Sequence, residues 1–204
     1  MITSRIWEGE TVVILGGGPS LTRQDVDYCK GKAKVVAVNN AYLLAPWADL
    51  LYACDFDWWA LHHIRTNAFS GQKWTCSKDA SDKYGLNLIG YNYASSVSFT
   101  PGLIHLGGTN GPGGNSGFQA LNLAVLFGAK RILLLGFDMG TQPHKTHWHD
   151  GHPGLLDKAS NYAEFIAAFD SAFYDLHKAG INVINCSRAS KLLCFRKEII
   201  ANVI

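Results

Sequence analysis

Hydrophobic residues fall in short continuous runs that stop abruptly at glycine or at a polar side chain. Thr11–Leu15 (TVVIL) runs into Gly16-Gly17-Gly18-Pro19, Lys34–Val38 into Asn39-Asn40, residues 49–54 into Asp55, and Arg131–Leu135 (RILLL) into Gly136-Phe137-Asp138. Apolar, partly β-branched runs of this length read as strands covered on both faces, the pattern of a parallel sheet. Between them the period changes to that of helices. Residues 22–30 set Val26 and Cys29 three apart, 56–65 carry Trp58, Trp59 and Leu61, and 118–127 are apolar nearly all round before Gly128. Residues 161–179 put Tyr162, Phe165, Ile166, Phe169, Phe173 and Leu176 on one helical stripe before Gly180. Each predicts a helix, the last two closed by glycine. Residues 182–186 predict a final buried strand. The alternation predicts an α/β fold: a doubly wound, mostly parallel Rossmann-like sheet with helices on both faces, residues 1–204 forming a single domain.

Two stretches break the pattern. Residues 66–110 are interrupted by Gly71, Gly85, Gly90, Gly102, Gly107 and Gly108 and offer only two short candidate strands, 73–77 and 95–99. Residues 139–160 are polar and without period. A loop of about 20 residues is uncommon in a compact domain and usually serves as a lid or a mobile segment.

Composition narrows the class. Hydrophobic residues are 48% of the chain and charged residues 17%, against roughly 25% charged in an average soluble chain, so much of the surface is buried. The formal charge is +2 and no basic run exceeds two adjacent residues, which argues against a nucleic-acid arm. Cys29, Cys54, Cys76, Cys186 and Cys194 are scattered, odd in number and without C-x-x-C spacing, which argues against a disulfide framework and a thiolate zinc site. No apolar stretch reaches the roughly 18 residues of a membrane span, and residues 1–10 lack a signal-peptide pattern; the expectation is a cytoplasmic protein. Six tryptophans and an apolar surface suit a homo-oligomer, with no pattern that fixes its symmetry.

Candidate chemistry gathers where the strands stop, the place at which open α/β sheets bind ligands. Gly16, Gly17, Gly18 and Ser20 put side-chain-free amides beside a helix start, where an anion is favoured. The alternative is a tight turn without ligand, because neither a dinucleotide fingerprint nor a Walker loop is present. Asn39, Asn40, Asp55, Asn115, Ser116, Gly117 and Asp138 add amides, hydroxyls and carboxylates able to hold a base, a ribose or a divalent cation; taken singly, such residues also cap helices and close turns. The run His144-x-x-His147-x-His149-Asp150-x-His152 offers either a general base or a metal cage, against the plain reading of a solvated polar loop. Trp148, inside that run, is the tryptophan best placed to stack on a base or sugar. The basic stretch 188–197, interleaved with Leu192, Leu193 and Phe195, reads as a docked terminal segment.

The ordered motifs VVILGGGPSL, VVAVNNA, DLLYACD, NSGFQALNLAVLFGAKRILLLGFDM and NVINCSRASKL resemble the superfamily joining MptE-like 6-hydroxymethylpterin diphosphokinases with bacterial sialyltransferases that use a CMP-activated sugar. Phage proteins share the pattern, and the chain looks like a phage-type member. The resemblance spans roughly residues 11–57 and 113–192. From the sialyltransferases it implies nucleotide contacts at Gly16, Gly17, Gly18, Ser20 and Asn39, and at Ser116 and Gly117. It also implies a catalytic histidine after G-x-D, a role open to His147, His149 or His152. The chain departs from that pattern at Gly17, where those enzymes carry Asn, and at Gly140 and Thr141, where they carry a Tyr pair. From the diphosphokinases the resemblance implies Asp55 and Asp138 near a magnesium ion.

The leading reading is a nucleotide-dependent transferase that takes a nucleotide or nucleotide-sugar and a small-molecule or glycan acceptor, with a loop histidine as base. The alternatives are a Mg-dependent MptE-like diphosphokinase, a nucleotide-binding accessory protein without turnover, and a metal-dependent hydrolase using the histidine loop.

Overall fold

A computed structural model of the chain describes residues 5–108, 114–143, 145–149 and 160–204. Eight strands form one sheet in the order β10-β9-β8-β1-β2-β3-β4-β5, every neighbouring pair parallel. In chain order these are β1 (Thr11–Leu15), β2 (Lys34–Val38), β3 (Leu50–Tyr52), β4 (Gln72–Thr75), β5 (Asn87–Leu88), β8 (Arg131–Leu135), β9 (Asn182–Asn185) and β10 (Arg196–Lys197). Two further short strands, β6 (Gly90–Asn92) and β7 (Leu103–His105), pair with each other apart from the main sheet. Five α-helices accompany them among the described residues: α1 (Arg23–Cys29), α2 (Phe56–His62), α3 (Lys78–Tyr84), α4 (Ser116–Leu126) and α5 (Tyr162–Lys178).

The continuous apolar runs are explained by the two cores. Along β1, Val12 and Ile14 join the cluster that contains Phe118, Leu121 and Phe169 of α4 and α5. Val13 and Leu15 join the opposite cluster, with Val26 of α1, Trp58 and Trp59 of α2 and Ala80 of α3. Successive strand residues point to opposite faces, so a strand covered on both sides must be apolar at every position. The Rossmann-like doubly wound sheet read from the sequence is therefore present, with helices on both faces.

Element ends follow local chemistry. Thr22 caps α1 by accepting from the Asp25 amide, Asn115 caps α4 through the amides of Gly117 and Phe118, and Asn161 caps α5 through that of Glu164. The stretch 95–99, expected as a strand, is not one. Its backbone is held by the buried Asn122 of α4, whose Oδ1 accepts from the Ser98 and His105 amides at 2.9 Å each and whose Nδ2 donates to the Ser98 carbonyl at 2.8 Å. A side chain on a helix here supplies the hydrogen bonds that a neighbouring strand would otherwise supply. Helix α3 was not foreseen: it buries only Ala80 and so carries no hydrophobic period. The C-terminal stretch docks as expected, with Leu192 and Phe195 buried while Leu193 is exposed. Among the described residues no helix is long and apolar enough to cross a membrane.

The connections create a crevice. After β1 the chain turns to α1 on one face, and after the adjacent β8 it reaches α5 on the other. Neighbouring parallel strands whose continuations part to opposite faces leave a gap beyond their carboxyl ends, at the point where strand order reverses.

Candidate functional site

A cleft of about 460 Å³ occupies this switch point. Its walls come from the ends of β1 (Gly16, Gly17, Gly18), β2 (Asn39, Asn40), β3 (Asp55, Asp57) and β8 (Asp138, Met139), from the heads of α4 and α5, and from Thr146, His147 and His149. Almost all of the residues expected at the site thus come together in one place. Ser20 does not line the cleft, and His152 lies outside the described residues.

Four amides of the glycine loop have acceptors within the protein itself. The Gly16 amide donates to the Leu135 carbonyl at 2.7 Å, that of Gly18 to the Gly136 carbonyl at 2.8 Å, and that of Leu21 to the Gly18 carbonyl at 3.1 Å. The Ser20 amide donates to Asp138 Oδ2 at 2.6 Å, and the Ser20 hydroxyl donates to Asp138 Oδ1. The anion at this loop is therefore the Asp138 carboxylate. Burial pushes the Asp138 carboxyl above its ordinary value, and the two Ser20 hydrogen bonds oppose that shift. The glycines have a packing reason as well: a Cβ at Gly16 or Gly18 would stand 2.6 Å from the Gly136 carbonyl oxygen, and at Gly18 2.7 Å from Asp138 Cγ. At Gly17 a Cβ would meet only His147 Nδ1, at 3.5 Å. The loop's expected role as a phosphate cradle is thus narrowed to the Gly17 amide, since those of Gly16, Gly18, Ser20 and Leu21 have acceptors within the fold.

Two asparagines behave differently. Asn115 is 7% exposed; its Oδ1 is taken by the amides of Gly117 and Phe118, which fixes Nδ2 as the other end, and that Nδ2 is buried without a hydrogen-bond partner. Asn39 Oδ1 is likewise buried and unpartnered. Both residues line the cleft. Buried polar groups are nearly always hydrogen-bonded, and an exception calls for a partner such as a ligand. Asn39 also sits at φ +50°, as does Met139, and these are the two non-glycine residues at positive φ among the described residues. Strained backbone of this kind concentrates at functional sites. Asn40 is committed elsewhere, its Oδ1 accepting from Trp58 Nε1 at 2.8 Å.

His147 stands at the rim, half-buried, with Nδ1 3.3 Å from the Gly17 carbonyl oxygen. A carbonyl only accepts, so the proton belongs on Nδ1 and the basic lone pair on Nε2. The His149 ring stacks on that of His147 at 5.1 Å with 4° between planes. Trp148 packs toward the α1–α3 core rather than lining the cleft, which removes the expected stacking platform.

Asp55 and Asp138, the residues expected near a magnesium ion, both line the cleft but differ in setting. Both Asp138 oxygens are bonded to Ser20 and the residue is 4% exposed, whereas Asp55 is exposed. Among the described residues no three His, Cys, Asp or Glu side chains are grouped to hold a metal ion.

Reasoning from sequence missed Glu164, Tyr162 and Phe165, which line the cleft from the head of α5. The available signal was the Asn161-x-x-Glu164 spacing, a capping pattern placed directly after the histidine loop. Against family models and against curated proteins, the chain matches none.

Proposed function

We propose that the chain is a nucleotide-dependent transferase that holds a nucleotide or nucleotide-sugar in the switch-point cleft and uses His147 as general base. The observation that carries the reading is the pair of buried, unpartnered amide atoms, Asn39 Oδ1 and Asn115 Nδ2, both on residues that line one cleft. Together they ask for a ligand presenting both a hydrogen-bond donor and an acceptor, as a base edge or a sugar does. The heads of α4 and α5 border the same space and favour negative charge there. The described lining residues include Asp55, Asp57 and Glu164 but no Lys or Arg. That balance suits a donor with a single phosphate better than a triphosphate, and so favours glycosyl over diphosphoryl transfer.

In this reading an acceptor hydroxyl gives its proton to His147 Nε2 as its oxygen bonds to the sugar carbon. The bond from that carbon to the phosphate oxygen breaks, and the nucleotide leaves with the electron pair. The gain comes from holding both reactants in line and from a base that takes the proton as the new bond forms.

Thermal-shift screening against CMP, CDP, UDP, GDP, ADP, ATP and their sugar conjugates, with and without magnesium, tests the reading. A ligand at about 100 times its Kd adds roughly 2.7 kcal/mol. A nucleoside monophosphate or its sugar conjugate is the expected hit, with His147→Gln keeping binding and losing turnover. Stabilisation by ATP and magnesium alone would favour diphosphoryl transfer, and no stabilisation by any member would overturn the nucleotide reading.

A further inference from the structure

Two cysteines follow the ends of the neighbouring strands β3 and β4, and both meet α4. β3 and β4 pair with Leu51 opposite Lys73 and Tyr52 opposite Trp74. The ladder runs on through the Ala53 amide, which donates to the Trp74 carbonyl at 3.3 Å. Carried two residues past Tyr52 and Trp74, beyond the ends of both strands, the same register would set Cys54 opposite Cys76. Side chains two apart on a strand share a face, so both thiols lie on the face of Tyr52 and Trp74, under α4. Both also meet the first turn of that helix: Cys54 Sγ lies 3.1 Å from Ser116 Oγ, and Cys76 Sγ 3.9 Å from Gln119 Oε1. Residues three apart on a helix are neighbours. Adjacent strands stand about 4.8 Å apart, within the roughly 4.4–6.8 Å between Cα atoms that a disulfide spans. Cys76 is partly exposed and Cys54 buried, which provides one thiol that a reagent reaches and one that resolves it.

We propose that Cys54 and Cys76 form a reversible dithiol switch, oxidised by a small disulfide of the glutathione class. The Cys76 thiol loses its proton and attacks one sulfur of the oxidant, whose S–S bond breaks to release a first thiol. Cys54, deprotonated in turn, attacks the Cys76 sulfur of the mixed disulfide and expels the second. Two electrons and two protons pass from the cysteine pair to the oxidant, which leaves as two thiols. The new bond draws the Cys54 sulfur away from Ser116 and from Asp55, to which it is bonded at 3.3 Å and which, like Ser116, lines the cleft. Oxidation thereby alters the cleft floor; only the expected fall in ligand affinity rests on the proposed function, and formation of the bond does not. Burial pushes both thiols above the ordinary thiol value, so the exchange quickens as pH rises.

The full chain is exposed to graded glutathione disulfide, blocked with an alkylating reagent, digested without reduction and mapped by mass spectrometry. The expected product joins the Cys54 peptide to the Cys76 peptide, forms faster at alkaline pH and disappears with dithiothreitol. Cys54→Ser, or Cys54→Ala where serine unfolds the chain, is expected to hold a glutathione adduct on Cys76. The switch is overturned by any of three results in the wild type: both cysteines still alkylated under conditions that oxidise a control dithiol, a persistent glutathione adduct on Cys76, or Cys54 joined to another cysteine. Because the map needs no nucleotide, a failed ligand screen and a failed switch are separate results.

Discussion

Within residues 16–21 the amides of Gly16, Gly18, Ser20 and Leu21 all have acceptors inside the fold, that of Ser20 on the Asp138 carboxylate. Across the same cleft, an amide oxygen of Asn39 and an amide nitrogen of Asn115 are buried with none. The glycine-rich turn thus records how closely the ends of β1 and β8 pack, while the unpartnered polar atoms, which we propose meet the ligand, sit on residues that look like ordinary turn and cap asparagines. A dense glycine motif at a strand end is a statement about backbone approach first. It becomes a statement about phosphate only when its amides are left open.

Substitutions on the two sides should separate stability from binding. The largest effect is expected inside the glycine loop. Gly18→Ala forces a Cβ to 2.6 Å from a backbone oxygen, an overpacking that should cost about 3 kcal/mol, read as a lower midpoint in urea denaturation. Gly17→Ala, one residue away, makes only ordinary contact and should stay within about 0.5 kcal/mol of wild type. Equal losses at both positions would show that the loop is not held by the β1–β8 contact.

Next comes Asp138→Ala, which leaves the Ser20 amide and hydroxyl buried without their acceptor and should cost about 2 kcal/mol. Its pH dependence has a definite sign. The folded carboxyl titrates above its unfolded value, so its contribution to stability is fully present below the unfolded pKa and is lost as pH rises through the folded one. Asp25 runs the other way. Burial pushes its carboxyl up, but hydrogen bonds from Arg188 and Thr22 and the Arg188 charge outweigh this and hold it below the ordinary value. Its contribution is present above the unfolded pKa and lost as pH falls through the folded one. Asp138→Asn should flatten the loss on raising pH while leaving the acid limb in place, measured as midpoints across a pH series.

Smaller stability effects are expected at the asparagines, with the larger response in ligand affinity. Asn115→Ala removes the α4 cap and should cost about 1 kcal/mol, whereas Asn115→Asp keeps a capping oxygen and should be close to neutral. Asn39→Gly relieves a positive φ and should leave stability unchanged or slightly higher. Urea midpoints check all three.

Much of the fold is readable along the chain. β1, β2 and β8 have the bounds their apolar runs imply, because a strand covered on both faces carries an unbroken signal. The middle is not readable for a stated reason: α3 buries only Ala80, and the 95–99 segment is held by Asn122 from a distant helix rather than by a strand. Of the site, strand ends gave away Asn39, Asp55 and Asp138 as cleft-edge residues. What each does there was hidden, since only tertiary packing turns Asp138 onto Ser20 and leaves Asn115 Nδ2 without a partner. Glu164 was masked by its role beside the Asn161 cap.

The most direct test of the account is calorimetric titration of the best nucleotide from the screen into wild type, Asn115→Asp and Asn39→Gly, each first shown to be folded by its urea midpoint. The account predicts a loss of affinity of about tenfold or more in both variants, equivalent to roughly 1.4 kcal/mol for each amide contact removed. Wild-type affinity in both, with stability intact, would contradict the claim that these two amides face the ligand.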